Sequence, residues 1–218
     1  MDLNTPKQNY QRQMEEIIAS ACVAARPRLL LHACCAPCSS YVLELLSPHF
    51  DITLYFYNPN ISTAEEYALR AAELRRLVEK MGLSERVSLI VPPYDPSPFE
   101  RLSSGREEIP EGGARCFDCY RLRLHASALV AAEGGYDFYC TTLSISPHKN
   151  AERLNEIGME EGALAGVRWL PSDFKKQNGY KRSCELSRQY SLYRQDFCGC
   201  VHSQRGALRR ASLSRGES

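Results

Sequence analysis

Two cysteines stand side by side in this chain, at Cys34 and Cys35, and Cys38 follows three residues later. The apolar run just before them predicts a strand, and the residues after them predict a helix. Neighbouring side chains point apart in a regular strand or helix, so the vicinal pair suits a turn that wraps a bound group. A helix N-terminus also offers unpaired N–H groups and a positive dipole, which stabilise thiolates and anionic groups. This segment therefore predicts a thiolate site at a strand-to-helix turn.

A second cysteine motif, Cys116 and Cys119 with two residues between them, opens another predicted helix. Together with the vicinal pair it supplies four thiolates, enough for a zinc ion or a 4Fe–4S cluster. Structural zinc sites usually take ligand pairs from such two-residue spacings, whereas a vicinal pair would be strained on one small tetrahedral ion. A cluster offers separate iron corners, so the spacing favours 4Fe–4S over zinc. Cys38 is then left to bind another group or do redox chemistry, unless it is a helix-face residue without a role.

The third cysteine motif is Cys198-Gly199-Cys200. With one residue between its cysteines, it can close a strained and easily reduced disulfide, and Gly199 allows the tight backbone that this requires. The pair is therefore a candidate redox relay, and the alternative is two separate thiols. Cys22 and Cys140 lie outside these motifs and are expected to be buried residues without a chemical role.

Length and composition indicate the class of protein. The chain has 218 residues, of which 44% are hydrophobic, enough for the core of one domain but cramped for two. It contains no apolar run long enough to span a membrane, and its polar N-terminus lacks a secretion signal, so we expect a cytoplasmic protein without a membrane partner. The chain has ten cysteines, most of them in clusters. In a reducing cytosol, clustered cysteines indicate metal binding or redox work. No dinucleotide or Walker A motif occurs, so neither NAD nor a nucleoside triphosphate is indicated.

The charge is distributed unevenly along the chain. Residues 1–167 carry 16 basic and 22 acidic side chains, whereas residues 168–218 carry 11 basic and 4 acidic ones. Cations mixed with aromatic faces in this last part are typical of segments that hold phosphates and stack unpaired bases. The alternative is a solvated basic helix. The side chains concerned are Tyr180, Lys181, Arg182, Arg188, Tyr190, Tyr193 and Arg194.

Apolar periodicity predicts that helices and strands alternate along the chain. Helices are predicted at 8–25, 37–47, 63–81, 116–133 and 149–161, and strands at 28–33, 51–57, 86–92, 136–141 and 167–170. Such alternation predicts an α/β fold, a three-layer sandwich with a mostly parallel sheet, in which ligands bind beyond the carboxyl ends of the strands. The Cys34 turn and the segment 141–146 both follow such ends.

The domain organisation follows from these elements. Residues 1–203 are expected to form one α/β domain, in which 1–27 are a helical N-terminal extension and 172–203 pack near the site. Residues 93–115 are rich in Pro, Ser and Gly and are predicted to be a loop. The Arg- and Ser-rich composition of residues 204–218 predicts a disordered basic tail.

Six segments carry a resemblance to a known family. They are CCAPC at 34–38, CFDCY at 116–120, TTLSISPHKN at 141–150, SDFKK at 172–176, GYKRS at 179–183 and YRQDFCGC at 193–200. In this order they resemble the epoxyqueuosine reductase family QueH over residues 28–203. The resemblance implies a fold similar to the adenine-nucleotide alpha-hydrolase (HUP) group, with the cysteine turn in place of the pyrophosphate-binding loop.

The activity implied by the resemblance is the last step of tRNA queuosine synthesis. In that step the epoxide oxygen of the modified wobble base is removed with two electrons and two protons, without cobalamin. The implied partners are tRNA carrying epoxyqueuosine and an unidentified electron donor, and residues 172–196 would form much of the tRNA-binding face. Two other hypotheses remain open, a zinc-stabilised tRNA-binding module and a thiol-disulfide oxidoreductase.

The resemblance also implies roles for single residues. A second, mononuclear iron would stabilise the departing oxygen, with Cys38 as its candidate ligand. Asp118 would complete the coordination of that iron or deliver a proton, although a carboxylate near a helix N-terminus is the commoner explanation. His148 would contact phosphate or substrate, and the alternative is a structural histidine.

Overall fold

The structure is a computed structural model that describes residues 8–21, 26–195 and 197–206. Its centre is a sheet of five strands, in the order β3-β2-β1-β4-β5, with every neighbouring pair parallel. Residues 29–31 of the middle strand are fully buried, as expected for a parallel strand with neighbours on both sides and helices on both faces. The strands are β1 (Arg28–His32), β2 (Asp51–Tyr55), β3 (Val87–Ile90), β4 (Phe138–Thr141) and β5 (Arg168–Trp169).

The helices of the described residues are α1 (Tyr10–Ala21), α2 (Ala36–Leu46), α3 (Ala64–Lys80), α4 (Ser97–Ser103), α5 (Ala114–Glu133), α6 (Ala151–Ala165) and α7 (Gly179–Gln189), with a 3₁₀ turn at Thr142–Ile145. Crossovers between parallel strands are right-handed, so the run from β1 to β3 places α2 and α3 on one face of the sheet. The chain then crosses back to β4, and α5 packs against α6 on the other face, while α7 packs on α2. The α/β three-layer sandwich predicted from the sequence is confirmed.

The predicted strands and helices are all present, with ends shifted by a few residues. The sequence prediction missed α4, the 3₁₀ turn and the helical residues 201–206, and it gave a helix over the α7 segment only as an alternative. The prediction of a loop over 93–115 is wrong for α4, where Pro98 stands in the first turn and its fixed φ favours a helix. α7 is not solvated all round, because Gly179, Ser183, Leu186 and Ser187 are buried.

The two ends of the chain are described only in part. Residues 22–25, which include Cys22 and the end of the first predicted helix, lie outside the described residues. Residues 201–206 are helical, so helix reaches three residues into the segment predicted as a tail, and 207–218 lie outside the described part. No helix in the described ranges is long and apolar enough to cross a membrane.

The sheet order decides where a ligand can bind. The chain builds the sheet outward from β1 through β2 to β3, and then returns to add β4 on the other side of β1. The connections therefore leave β1 and β4 in opposite directions, which opens a crevice at the carboxyl ends of these two strands. His32 and Thr141 pair across these ends, and the cysteine turn and the 3₁₀ turn begin directly after them.

Candidate active site

The turn after β1 brings three thiols together, and we call Cys34, Cys35 and Cys38 the thiol triad. Their Sγ atoms all lie within 4.8 Å of one another, a grouping that can hold a metal ion. The Sγ atoms of Cys34 and Cys35 are 3.8 Å apart, near the spacing of two thiolates on a tetrahedral ion with bonds of ~2.3 Å. Cys35 reaches this position as the N-cap of α2 with an extended backbone (φ −171°, ψ 165°). The two sulfurs thus reach this spacing with an ordinary extended backbone at Cys35, so spacing alone does not exclude zinc.

The sulfur atoms of the triad share their protons unequally. Hydrogen bonds from the Cys35 and Cys38 thiols lower the pKa of Cys34 well below its usual value, although burial acts in the opposite direction. The same contacts raise the pKa of Cys35 and of Cys38, because each donates to the Cys34 thiolate. Thr142 adds a further donor, with its Oγ1 3.5 Å from the Cys34 Sγ. Of the three sulfurs, the Cys34 Sγ is therefore the one that the triad stabilises as a thiolate, and a bound cation would displace the protons of the other two.

His32 lies beneath the triad and ties the turn to its neighbouring strands. Its ring is fully buried. Nε2 donates to the Tyr57 carbonyl at 3.1 Å, and Nδ1 accepts from the Thr141 hydroxyl at 2.8 Å. Burial, followed by the charge of Arg123, lowers the pKa of His32 to about 3. The neutral imidazole therefore orients the turn and carries no charge of its own near neutral pH.

A second group of thiols lies beside the triad. Cys116 and Cys119 lie on the first and second turns of α5. Together with Cys198 and Cys200 they line a narrow cavity, which we call the side cavity. The Gly112 N–H donates to the Cys116 Sγ at 3.3 Å, and burial raises the pKa of Cys119 to about 11. All nine cysteines of the described residues are free thiols, including the predicted relay pair. The two thiol groups thus come from three separate stretches of chain, 34–38, 116–119 and 198–200.

A buried guanidinium stands between the two thiol groups. Arg123 is 1% exposed; its Nε donates to the Cys119 carbonyl at 3.2 Å and its Nη1 to Asn58 at 3.4 Å, while its Nη2 has no partner among the described residues. Burial opposes its charge, but the neighbouring sulfurs of Cys119, Cys198 and Cys34 raise the pKa of Arg123 above its usual value. An unpaired buried donor beside Cys34 and Cys119 fits an anionic group with sulfur acceptors, which is what a 4Fe–4S cluster on these thiolates would be.

A cavity of about 730 Å³ opens from the triad toward the surface, and we call it the main cavity. Its volume is in the range of cavities that enclose a small ligand such as a nucleoside. On its outer wall the Arg194 guanidinium lies 5.7 Å from the ring centroid of Tyr180 and donates to the Tyr180 hydroxyl at 3.0 Å. His148 and Phe197 also line it. Four residues line both cavities: Glu111, Arg123, Lys149 and Cys198.

Comparisons with known proteins give the family. The sequence model described as "Epoxyqueuosine reductase QueH" matches residues 29–206. A protein of that name from Staphylococcus epidermidis is 42% identical over 206 residues, covering 91% of this chain and 86% of the relative. The chain belongs to the QueH family. Two further relatives of the same name come from Streptococcus pyogenes, with 42% identity over 200 residues (90% and 78% of the two chains), and Acinetobacter baylyi, with 36% over 184 residues (84% and 83%).

In this member of the QueH family the predicted phosphate-binding cations are not equivalent. Arg182 is held by Glu44, with two contacts of 2.7 and 2.9 Å, and by Glu185 at 3.4 Å. Arg194 lines the main cavity instead. Lys181 and His148 are exposed, and His148 lies at the cavity mouth. The structure therefore separates cations that face the cavity from one that links α7 to α2.

Two other predicted site residues lie beside carboxylate or guanidinium partners. The Tyr193 hydroxyl donates to Glu66 at 3.3 Å, and its backbone N–H donates to Glu73 at 3.0 Å. Asp118 is ion-paired with Arg106 at 2.5 Å, and Asp118 lines neither the main cavity nor the side cavity. In this arrangement the Asp118 carboxylate, on the second turn of α5, compensates the positive charge of Arg106 from the preceding loop.

Sequence reasoning missed several residues that line the QueH-family site. Arg123 lies four residues after Cys119, so helical spacing alone places it one turn above that thiol. Arg70 interrupts the apolar face of α3 and is 3% exposed, which is itself a signal for a charge with a buried partner. Lys149 belongs to the segment 141–150 that carries the resemblance, but the sequence analysis gave it no role. It is 9% exposed. Cys184, on α7, is the one cysteine to which the sequence analysis gave no place, and it lies beside Arg194. Burial opposes the charge of Arg194, but Cys184 raises the pKa of Arg194 above its usual value.

Proposed function

We propose that this chain is an epoxyqueuosine reductase that converts the epoxide of epoxyqueuosine in tRNA to the alkene of queuosine. The single observation that carries the proposal is the convergence of thiols from separate motifs, with Arg123 between them, at the inner end of a nucleoside-sized cavity. The relatives, which are named epoxyqueuosine reductase QueH, support the same activity. The reaction consumes two electrons and two protons, so the site must bring a reductant next to the epoxide.

The proposed reductant is a 4Fe–4S cluster held by Cys34, Cys35, Cys116 and Cys119. Bound there, it would supply electrons one at a time at low potential. The unpaired Nη2 of Arg123 supports this assignment, because it places a positive charge and an N–H donor beside Cys34 and Cys119. Cys38 lines the floor of the main cavity and is proposed as a ligand of a second iron. No cobalamin takes part in the proposed reaction.

The outer wall of the main cavity is proposed to receive the nucleoside and its flanking phosphates. Tyr180 and Phe197 offer aromatic faces for a base that has left the stack. Arg194 and His148 lie at the same wall and offer donors to phosphate oxygens. Lys181, which is exposed on α7, extends the cationic surface beyond the cavity. A cytoplasmic location and an external electron donor complete the proposal.

A zinc-stabilised tRNA-binding module is the second candidate. The 3.8 Å separation of the Cys34 and Cys35 sulfurs favours it, since this spacing suits a single tetrahedral ion. The two candidates predict different metals and different colours. Protein made without oxygen contains iron and inorganic sulfide and is brown if the first is right, whereas it contains stoichiometric zinc and is colourless if the second is right.

The decisive test combines anaerobically purified protein with tRNA that carries epoxyqueuosine and a strong low-potential reductant. Nucleoside mass analysis is expected to show queuosine, and the Cys116→Ala protein is expected to lose iron, sulfide and activity together. Cys140→Ser is the matched control, because Cys140 is a buried thiol that lines neither cavity. Zinc without sulfide, together with no conversion of the nucleoside, would overturn the proposal.

A further inference from the structure

The two cysteines of the Cys198-Gly199-Cys200 motif have different surroundings. The Lys149 Nζ donates to the Cys198 Sγ at 3.1 Å, and Cys198 lines both the main cavity and the side cavity. The Cys200 Sγ accepts instead from the Ser203 N–H at 3.4 Å. Of the two cavities, Cys200 lines only the side cavity. A buried cation therefore contacts one sulfur of the pair, and a neutral amide contacts the other.

Lys149 is a buried charge in hydrogen-bond contact with that sulfur. It is 9% exposed, and its Nζ lies 4.0 Å from the Glu111 carboxylate and 5.9 Å from the ring centroid of Tyr120. Burial opposes the ammonium form, but Cys198, followed by Tyr120, raises the pKa of Lys149 above its usual value. A buried ammonium needs compensating negative charge and hydrogen-bond acceptors. The Glu111 carboxylate lies at ion-pair distance, and the Cys198 sulfur accepts a hydrogen bond from the ammonium.

The backbone of the motif is held so that the Cys198 sulfur keeps this position. Arg70, which is ion-paired with Glu66 at 2.6 Å, donates from Nη1 to the Cys198 carbonyl at 3.3 Å. The Gly199 carbonyl accepts from the Ser62 N–H at 3.0 Å. Gly199 has φ +111°, and a Cβ there would lie 3.0 Å from the Arg70 Nη1. The loop is thus fixed on α3 by a backbone that favours glycine.

We infer that Lys149 is a positioning residue that makes Cys198 the inner, leaving member of the pair and Cys200 the member that exchanges with a dithiol electron donor. This inference rests on the proposed function, and it assigns to the pair the step that takes two electrons from the external donor. A donor thiolate attacks the Cys200 Sγ, the Cys198–Cys200 bond breaks, and Cys198 leaves as a thiolate beside Lys149. The second donor thiol then displaces Cys200, so that the donor becomes a disulfide and the pair gains two electrons and two protons.

The direction of attack follows from the chemistry of the leaving group. In thiol–disulfide exchange the sulfur that is better stabilised as a thiolate leaves faster. An ammonium in contact with Cys198 therefore directs the incoming thiolate to Cys200. Other groups face Cys198 as well, and their charges enter the same balance: Arg123, Cys119 and Tyr120 from α5, Glu111 from the preceding loop, Arg70 from α3 and Cys200 from the motif itself.

The first test maps the reactivity of the two thiols in anaerobically purified, iron-containing protein. Iodoacetamide is added at a single pH, and peptide mass analysis measures the alkylation rates of Cys198 and Cys200. Cys198 is expected to react faster than Cys200. Lys149→Gln should lower the ratio of the two rates about tenfold, whereas Lys149→Arg should restore most of it. Lys176→Gln, at an exposed lysine, is the matched control.

The second test needs no variant and so does not depend on the folding of Lys149→Gln. The oxidised wild-type protein is treated with an isotopically labelled monothiol, quenched with acid and digested. The label is expected on Cys200. Label on Cys198, or a ratio of alkylation rates that is the same in wild-type and Lys149→Gln protein, would overturn the inference. Neither test uses epoxyqueuosine, so failure of the proposed reaction is read separately, from the nucleoside analysis.

Discussion

At the scale of single residues, the site places positive charge next to sulfur. Arg123 and Lys149 are both buried, and both lie among thiols. Burial alone would expel such charges, so each is retained by the negative charge that faces it. Neutral His32 and the hydroxyl of Thr142 complete the arrangement by orienting the turn that carries the triad. Two predictions follow at this scale, one for a thiol and one for the guanidinium.

Cys38→Ala separates the holding of a cluster from the chemistry on the substrate. If Cys34, Cys35, Cys116 and Cys119 are the four cluster ligands, Cys38→Ala should keep iron and sulfide near wild-type levels and lose turnover. Cys34→Ala should lose both. Iron and sulfide analysis of the two variants, alongside the nucleoside assay, makes the comparison. Equal loss of sulfide in both variants would instead show that the triad itself supplies the ligands.

Arg123→Gln should make the cluster harder to reduce. A positive charge beside the cluster stabilises the more negative, reduced state, so its removal should shift the midpoint potential to more negative values by ~60 mV or more. A spectroelectrochemical titration measures this shift. Arg106→Gln serves as the control, because Arg106 pairs with Asp118 and lines neither cavity. An unchanged potential in Arg123→Gln would place the cluster away from this guanidinium.

At the scale of secondary structure, each element contributes one face of the site. β1 and β4 end at the crevice, α2 and α5 carry thiols on their first turns, and α7 closes the outer wall. α7 lies on α2, where the Glu44–Arg182 pair joins the two helices. The basic character of α7 is therefore divided between contacts within the fold and contacts available to a ligand. That division gives the prediction for tRNA.

Arg194→Ala should weaken tRNA binding more than Arg182→Ala does. Arg194 lines the main cavity, whereas the Arg182 guanidinium is already engaged by two carboxylates. Each phosphate contact that is lost reduces the dependence of log affinity on log salt by about one unit. Binding of tRNA over a range of salt concentrations should therefore give a shallower slope for Arg194→Ala and a near wild-type slope for Arg182→Ala. Equal slopes would move the tRNA-binding face elsewhere.

At the scale of the whole molecule, the hydrophobic core extends well beyond the thiol site, of which Cys34, Cys38 and Cys116 pack against it. The core runs along the sheet and includes residues 29–31, Phe56, Phe138 and Phe174, all at most 1% exposed. The thiols lie at one edge of the sheet, at the crevice left by its strand order. A chain of this size buries enough apolar surface to fold without a metal. This is unlike small zinc modules, which are unfolded without their ion.

Removal of the metal should therefore leave the fold in place. Anaerobic chelation is expected to bleach the protein and abolish activity, while the far-UV circular dichroism spectrum and the cooperative urea transition are retained. The Cys140→Ser protein, carried through the same treatment, controls for nonspecific thiol damage. Loss of the far-UV signal together with the metal would mean that the metal stabilises the fold, as expected of the zinc-stabilised module.

The sequence by itself determined the class of fold and the place of the site. Alternating periodicities predict strands and helices in turn, and this alternation requires a parallel sheet with ligands at the carboxyl ends of its strands. The cysteine motifs at 34–38 and 116–119 pointed to a thiol site, because helix starts stabilise thiolates. These are local signals, and each can be read within a window of about twenty residues.

The tertiary structure alone decided which groups meet. It placed Cys38 in the triad, turned Arg123 and Lys149 toward the thiols, and paired Arg182 with Glu44. The contacts of Lys149 with Cys198 and of Arg182 with Glu44 join residues separated by 49 and 138 positions. They depend on strand order and on the hand of the crossovers, which bring distant segments to one edge of the sheet. No local pattern encodes that order, because the same periodicities fit several arrangements of the strands.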